Sequence, residues 1–301
     1  MKVVIIGKDE MLANLIEGAV LSGSKVIGVL RYENLYKNKF QLFLNDNFKT
    51  SCVLPLIKKY KIKDLRYKSA NSEEFRKFLL HNNVDILLIG TWAEKIDKAT
   101  FVIPKIATIN VHPSLLPKYR GPNPYLQTIW KQENYSGISF HLVTEKYDAG
   151  AILAQSKISI LENDTGKELR TRTTAYAKII ASELLTKLQT SVIEPTEQNE
   201  RDATYYKDIN PEDMTLDFKK ETAAEIYAHI RGFYPFRPTY IDDGNRFWIV
   251  NPYHVKTDNG IGKPNEIKKY NKNSLSIACK DGIRLKFSRL KKYNKIQRFF
   301  Y

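Results

Sequence analysis

The chain opens on a short β-branched run, residues 2–6, which Gly7 turns into a stretch with Met11, Leu12, Leu15, Ile16 and Ala19 at helical spacing. A second strand is expected at 25–30. Asn71 with Glu74 three positions later reads as a capping box for a helix through Phe75, Phe78 and Leu79, and residues 84–89 are then almost continuously apolar. Strands that are apolar throughout are buried on both faces. Their alternation with helices predicts an α/β fold, a Rossmann-like, mostly parallel sheet covered on each side. Further strands are expected at 107–111 and, by alternation, at 138–143, before Thr165 and Glu168 open a long helix reaching about residue 189. The first domain is expected to cover residues 1–190.

Residues 191–205 are polar, with Pro195, and suit an exposed linker. Beyond 206 the pattern changes. One helix runs from Thr222 to Arg231 and stops at Gly232 and Pro235. Strand-like runs follow at 247–250, 274–279 and 283–287, with Asp281-Gly282 as a hairpin turn. A smaller, β-rich, barrel-like domain is predicted over 206–301.

A chain of 301 residues with 43% hydrophobic content is long enough for two folded domains and an active-site cleft. No run approaches the ~18 apolar residues of a membrane span, and the opening apolar run is too short for a signal-peptide core, so a cytoplasmic protein is expected. Cys52 and Cys279 lie far apart and read as inert core thiols rather than a disulfide framework or metal cluster. The net charge of +15 is uneven: residues 251–301 hold 13 Lys and Arg against 3 Asp and Glu. Such a patch attracts the phosphates of RNA or of a nucleotide-linked substrate, and equally suits a solvated lysine-rich surface. The first turn, Gly7-Lys8-Asp9-Glu10, lacks the Gly-x-Gly-x-x-Gly fingerprint and puts carboxylates where a pyrophosphate would sit. A dinucleotide site is rejected, and no metal is expected.

The segment 110–121, Asn-Val-His-Pro-Ser-Leu-Leu-Pro-Lys-Tyr-Arg-Gly, packs polar side chains directly after a buried strand, at the end where open α/β sheets bind ligands. Asn110 and His112, one residue apart on a strand, point to the same face. Pro113 and Pro117 stiffen the loop. Asp148 adds a carboxylate in the turn Tyr147-Asp148-Ala149-Gly150, where Gly150 permits close backbone approach. These groups meet the needs of acyl transfer to an amine. An Asn amide donates to an oxyanion without titrating, a His exchanges protons near neutrality, and a carboxylate beside it fixes its tautomer and accepts the amine's proton. Taken singly, each residue is more often a satisfied surface group or a turn residue.

The run NVHPSLLPKYRG, the 36-residue step from His112 to Asp148 and the Asp-Ala-Gly turn resemble the folate-dependent formyltransferases. The resemblance continues through Ile-Arg-Gly-Phe-Tyr-Pro-Phe at 230–236, similar to the C-terminal domain of methionyl-tRNA formyltransferases and of some amino-sugar formyltransferases. It implies 10-formyltetrahydrofolate as formyl donor, no metal, and Asn110, His112 and Asp148 as catalytic residues. It further implies a folate pocket near Gly90, Thr91 and Trp92 and near Tyr147 and Asp148, with Ser114, Arg120 and Asn123 towards the acceptor. Arg120 would clamp a nucleotide diphosphate there, or else form a plain surface salt bridge.

The acceptor is less determined. The basic C-terminal region suits methionyl-tRNA. Yet the Pro/Gly/Lys-rich insertion of those enzymes is missing from 31–51, and Gly121-Pro122-Asn123-Pro124 departs from their Gly-Ala-Ala-Pro. A nucleotide-linked amino sugar is therefore the expected acceptor, with tRNA the alternative, and a homodimer is compatible with either. A non-catalytic RNA- or sugar-binding module on the same fold is the reading from another class, disfavoured because Asn110, His112 and Asp148 are all present.

Overall fold

In the computed structural model, described at residues 1–37, 41, 51–243 and 247–293, the first strand is β1, Lys2–Gly7. It is followed by helix α1, Asp9–Leu21, and by β2, Lys25–Arg31. Helix α2 (Leu54–Lys59), β3 (Lys63–Leu65), α3 (Glu73–His81), β4 (Ile86–Gly90), α4 (Lys98–Phe101) and β5 (Ala107–His112) continue the alternation. Then come α5 (Pro124–Trp130), β6 (Tyr135–Leu142), β7 (Ile152–Ser159) and the long α6 (Gly166–Thr190). Seven strands form one sheet in the order β3-β2-β1-β4-β5-β6-β7. β1 runs parallel to β2 and β4, and β4 to β5, whereas β6 is antiparallel to β5. The expected mostly parallel, Rossmann-like sheet is present. Its strand order reverses between β1 and β4, which opens a crevice beyond their carboxyl ends.

Gly7 and Gly90 are paired in register at that crevice. A Cβ on Gly7 would lie 2.3 Å from the Gly90 carbonyl oxygen, so strand proximity explains Gly7 without any phosphate. On one face of the sheet Val4, Ile6, Leu30, Leu87 and Ile89 meet Phe75 and Leu79 of α3. The cap of α3 differs from the expected one. Ser72 accepts from Phe75 N–H at 3.2 Å, while the Asn71 amide donates to the Lys95 carbonyl. Asn71 belongs to the loop rather than to the helix.

The chain forms two compact units: Met1–Arg120 with Gly137–Ile158 and Thr171–Tyr205, and Gly121–Ser136 with Ser159–Arg170 and Tyr206–Tyr301. In the second, helix α7, Ala223–Phe233, begins with the predicted capping box of Thr222 and Glu225. Strands β8 (Thr239–Asp242), β9 (Phe247–Val250), β10 (Val255–Ile261), β11 (Ile267–Asn271), β12 (Ser274–Ala278), β13 (Ile283–Phe287) and β14 (Lys291–Tyr293) follow. Gly282, at φ 80°, makes the predicted turn between the antiparallel β12 and β13. The expected barrel does not close among the described residues. The strands divide into a four-stranded sheet, β10-β13-β12-β11, and a three-stranded one, β14-β9-β8. Ile226 and Ile230 of α7 pack with Ile241, Trp248, Leu275, Ile277, Leu285 and Phe287, so a helix face and two sheets share one apolar interior.

Cys279 is buried, and burial pushes its thiol up to about 12, as an inert core residue should behave. Cys52 is exposed, against expectation. The stretch 31–51, where the insertion of the tRNA enzymes is expected to be missing, is described only at 31–37, 41 and 51, and its remainder lies outside the described residues. Among the described residues no helix is long and apolar enough to cross a membrane.

Candidate active site

β5 ends at His112, and its last residues set the geometry. β6 pairs Asn110 with His141. The period of two that makes Phe140 a core residue turns His141 to the other face, beside Asn110. The His141 Nδ1–H donates to the Leu142 carbonyl at 2.9 Å, which leaves Nε2 to accept from Asn110 Nδ2 at 3.1 Å. The Asn110 amide also reaches Asp148 Oδ1 at 3.4 Å. His112 is buried, and its Nε2–H donates to the Tyr119 carbonyl at 2.8 Å. A carbonyl can only accept, so the tautomer of His112 is set by Tyr119 and not by the carboxylate. Nδ1 is left facing Asp148 Oδ1 at 3.6 Å, and His141 Nε2 stands 3.7 Å from the same oxygen. Burial pulls the His112 pKa below the ordinary 6.5, outweighing the opposing pull of Asp148.

Asn110, His112 and Asp148, proposed from sequence, thus converge in one cluster. His141 is a fourth member that the sequence reading passed over. In sequence it occupies a polar position of the alternating run 138–143, as Ser139 does, so nothing in the pattern marked it.

Asp148 has φ 52°, in the left-handed region that Asp tolerates better than most side chains. A Cβ on Gly150 would lie 1.9 Å from the Leu142 carbonyl oxygen, so only glycine fits there. Gln198 holds this turn: its Nε2 donates to the carbonyls of Asp148 at 2.9 Å and Gly150 at 2.7 Å. Its Oε1 accepts from Arg120 Nε at 3.2 Å and Nη2 at 2.8 Å. The Arg120 guanidinium is buried and also forks onto Glu200, with Nη2 to Oε1 at 2.7 Å and Nη1 to Oε2 at 3.1 Å. Arg120 is therefore occupied inside the protein rather than forming a plain surface pair. Tyr119, at φ 61°, is a bulky residue in a region that disfavours it. The Thr204 hydroxyl holds it by accepting from Tyr119 N–H at 2.8 Å. Residues 198–204, expected as an exposed connection, thus brace both the Asp148 turn and the loop after His112.

The other sequence-proposed residues lie as follows. Ser114 is fully buried, and its hydroxyl donates to the Lys118 carbonyl at 2.7 Å, closing the loop. Asn123 precedes α5 in the second unit, and its amide donates to Asp208 at 2.7 Å. Gly90 ends β4 against Leu15 and Met11, and Thr91 follows at φ 59°. Trp92 meets Tyr32 edge-on at 5.3 Å, and its buried Nε1 has no partner among the described residues. Tyr147 is exposed, with Lys95 Nζ 5.5 Å from its ring centre. No cluster of three or more His, Cys, Asp or Glu suited to a metal occurs among the described residues.

A Rossmann-like sheet with two imidazoles, an amide and a carboxylate at one strand end defines a candidate acid–base transferase. Residues 1–190 match the family model described as "Formyl transferase", and residues 208–298 match "Formyl transferase, C-terminal domain". The chain belongs to the formyl transferase family, and with it to the enzymes that transfer formyl groups. It is 29% identical to the methionyl-tRNA formyltransferase of Thermotoga maritima over 233 residues, 77% of this chain and 72% of the relative. The Enterococcus faecalis enzyme of the same name is 32% identical over 216 residues, 71% and 68% of the two chains. Among solved structures, WlaRD, a sugar 3N-formyl transferase in the presence of dTDP and 5-N-formyl-THF, matches with TM-score 0.70 and 20% identity over 98% of both chains. An N-formyltransferase from Helicobacter canadensis in complex with folinic acid and dTDP-3-aminofucose matches with TM-score 0.69 and 20% identity, over 97% and 100%.

Proposed function

We propose that this chain moves the formyl group of 10-formyltetrahydrofolate onto an amine through Asn110, His112 and Asp148, with His141 as a supporting group. The observation that carries this reading is the convergence of these side chains, 3.1–3.7 Å apart. The amine nitrogen attacks the formyl carbon, the new C–N bond forms, and the carbonyl oxygen becomes an oxyanion. Asn110 Nδ2, whose reach to Asp148 is long, turns to donate to that oxyanion. The amine must shed a proton. His112 Nδ1, neutral because burial depresses its pKa, and the Asp148 carboxylate present two lone pairs towards each other, and a proton delivered between them satisfies both. Breaking the bond from carbon to the donor's nitrogen returns a proton to that nitrogen, so the cluster ends as it began.

For the donor, we assign Gly90, Thr91, Trp92 and Tyr147. The buried, unpartnered Trp92 N–H is a hydrogen bond waiting for an acceptor. Two solved structures of like fold, with 5-N-formyl-THF and with folinic acid, support this donor. Arg120 and Ser114 are spent on internal bonds, and in this reading they shape the acceptor loop rather than touch the acceptor.

The amine, in our reading, belongs to a nucleotide-linked amino sugar. Support comes from the end-to-end fold likeness to sugar formyltransferases and from the Pro122-Asn123-Pro124 departure that follows the 110–121 segment in sequence. Methionyl-tRNA is the second reading, favoured by the names of the sequence relatives and by the net charge of +15. Purified protein with 10-formyltetrahydrofolate, offered dTDP-linked amino sugars and initiator methionyl-tRNA in parallel, decides between them. Efficient formylation of the tRNA alone would sink the sugar reading.

A further inference from the structure

In the second unit a cleft of about 460 Å³ opens between the end of α7, the loop 234–238, the end of β9 and the start of β14. Its apolar lining includes Ile230, Ile249, Val250 and the ring of Phe236, and its rim carries Arg237, Arg289, Lys291 and His254. The placement follows from the fold. Lys291 pairs with Ile249 across β14 and β9, so both side chains stand on one sheet face. The His254 carbonyl accepts from the Ser288 N–H at 3.0 Å and its hydroxyl at 3.2 Å, which anchors the turn carrying Arg289. Arg289 has φ 53°, a conformation an arginine adopts only when its surroundings impose it.

The charge around this cleft is one-sided. No carboxylate lines it among the described residues, and only Arg237 has one near, Asp208 Oδ1 at 3.8 Å. Like charges gathered round an apolar hollow repel one another unless an anion joins them. The volume suits one small molecule, and the apolar and aromatic walls suit a body larger than phosphate. We infer that this cleft is a second binding site, for a nucleoside diphosphate or its sugar conjugate, with phosphates on Arg237, Arg289 and Lys291 and the base against Phe236 and Tyr234. A hollow of about 460 Å³ with apolar and aromatic walls matches one small ligand rather than a nucleic-acid strand. The assignment stands apart from the acceptor reading, because it rests on a different unit of the chain.

The test is calorimetric titration of the full chain with dTDP, in wild type and in the charge-reversal double variant Arg289→Glu, Lys291→Glu. Both positions are exposed, so unfolding temperature should hold and serves as the fold control. Loss of one dTDP-binding event, by about 100-fold or more in Kd, is expected in the variant. If the acceptor reading is also right, a second event survives in the variant. If only that reading fails, wild type shows one event and the variant none. Identical dTDP curves in both proteins would overturn the cleft assignment. So would a wild type that binds a single-stranded RNA, loses it in the variant, and ignores dTDP.

Discussion

Gln198 offers the sharpest check on the site. Its side chain makes four hydrogen bonds, two donated to the carbonyls of Asp148 and Gly150 and two accepted from the Arg120 guanidinium. Gln198→Ala strands two carbonyls and leaves Arg120 with Glu200. At about 1 kcal/mol for each neutral bond and about 1.5–3 kcal/mol for those to the guanidinium, partial relaxation brings the loss to about 2–4 kcal/mol. That should lower Tm by about 5–10 °C. The turn that carries Asp148, at φ 52°, then loses two of its hydrogen bonds, and a carboxylate displaced by about 1 Å from His112 loses about 100-fold in kcat. Gln198→Glu separates the two roles. It keeps both bonds to Arg120 but puts a carboxylate oxygen where the N–H groups met the two carbonyls. Formyl transfer followed by tetrahydrofolate release, with thermal unfolding by circular dichroism, should show Gln198→Glu less destabilised than Gln198→Ala yet similarly slow. Wild-type kcat in Gln198→Glu would refute the argument that this residue positions Asp148.

Other expectations follow from the same geometry. His112→Ala and Asp148→Asn should each cut turnover by about 10²–10⁴ with the unfolding temperature nearly kept, and near-wild-type turnover in either would remove that residue from the mechanism. His141→Ala should cost less, because it supports Asn110 at 3.1 Å rather than taking the proton, and a loss equal to that of His112→Ala would promote it to the catalytic set. The His112 pKa lies below 6.5 in the folded chain, so the unfolded chain binds the extra proton first as pH falls. Its contribution to stability is complete above 6.5 and drains away as pH drops through the folded value, and kcat should keep its plateau to below pH 6.5. A pH–rate profile whose acid limb lies above 6.5 would contradict a neutral, buried His112. Thr222→Ala should cost about 1 kcal/mol in chemical denaturation through its capping box, with no effect on kcat.

Much of the first unit was legible because its strands are buried on both faces and read as apolar runs. β1 and β4 appear in sequence as unbroken Val, Ile and Leu stretches between helical spacings. Where burial is partial the signal fades. β7 is mostly half-exposed, and β10 and β11 are exposed along nearly their whole lengths, so neither alternation nor an apolar run marked them. The missing barrel closure has a related cause. Pairing partners are a tertiary fact, and strand-like composition at 247–250 and 274–279 says nothing about whether those strands meet.

The candidate site shows the same division between chemistry and support. Asn110 and His112 could be read because they break an apolar strand at its carboxyl end, and Asp148 because a Gly-bearing turn follows at a fixed step. What holds them could not be read. Gln198, Glu200 and Thr204 are ordinary polar residues in a polar stretch, and only folding brings them 78 to 85 positions back along the chain onto Arg120 and Tyr119. Buried polar groups need partners, and an arginine that is buried at a strand-end loop must find them somewhere. The Arg120 of the sequence reading was free to meet a diphosphate, whereas the folded one has spent Nε, Nη1 and Nη2 on Gln198 and Glu200. Recognition of an anionic acceptor therefore has to come from other cations or from backbone N–H groups. For that reason the acceptor was less legible than the reaction: the reaction is written in strand ends, and the acceptor in loops whose side chains are already partly consumed by the fold.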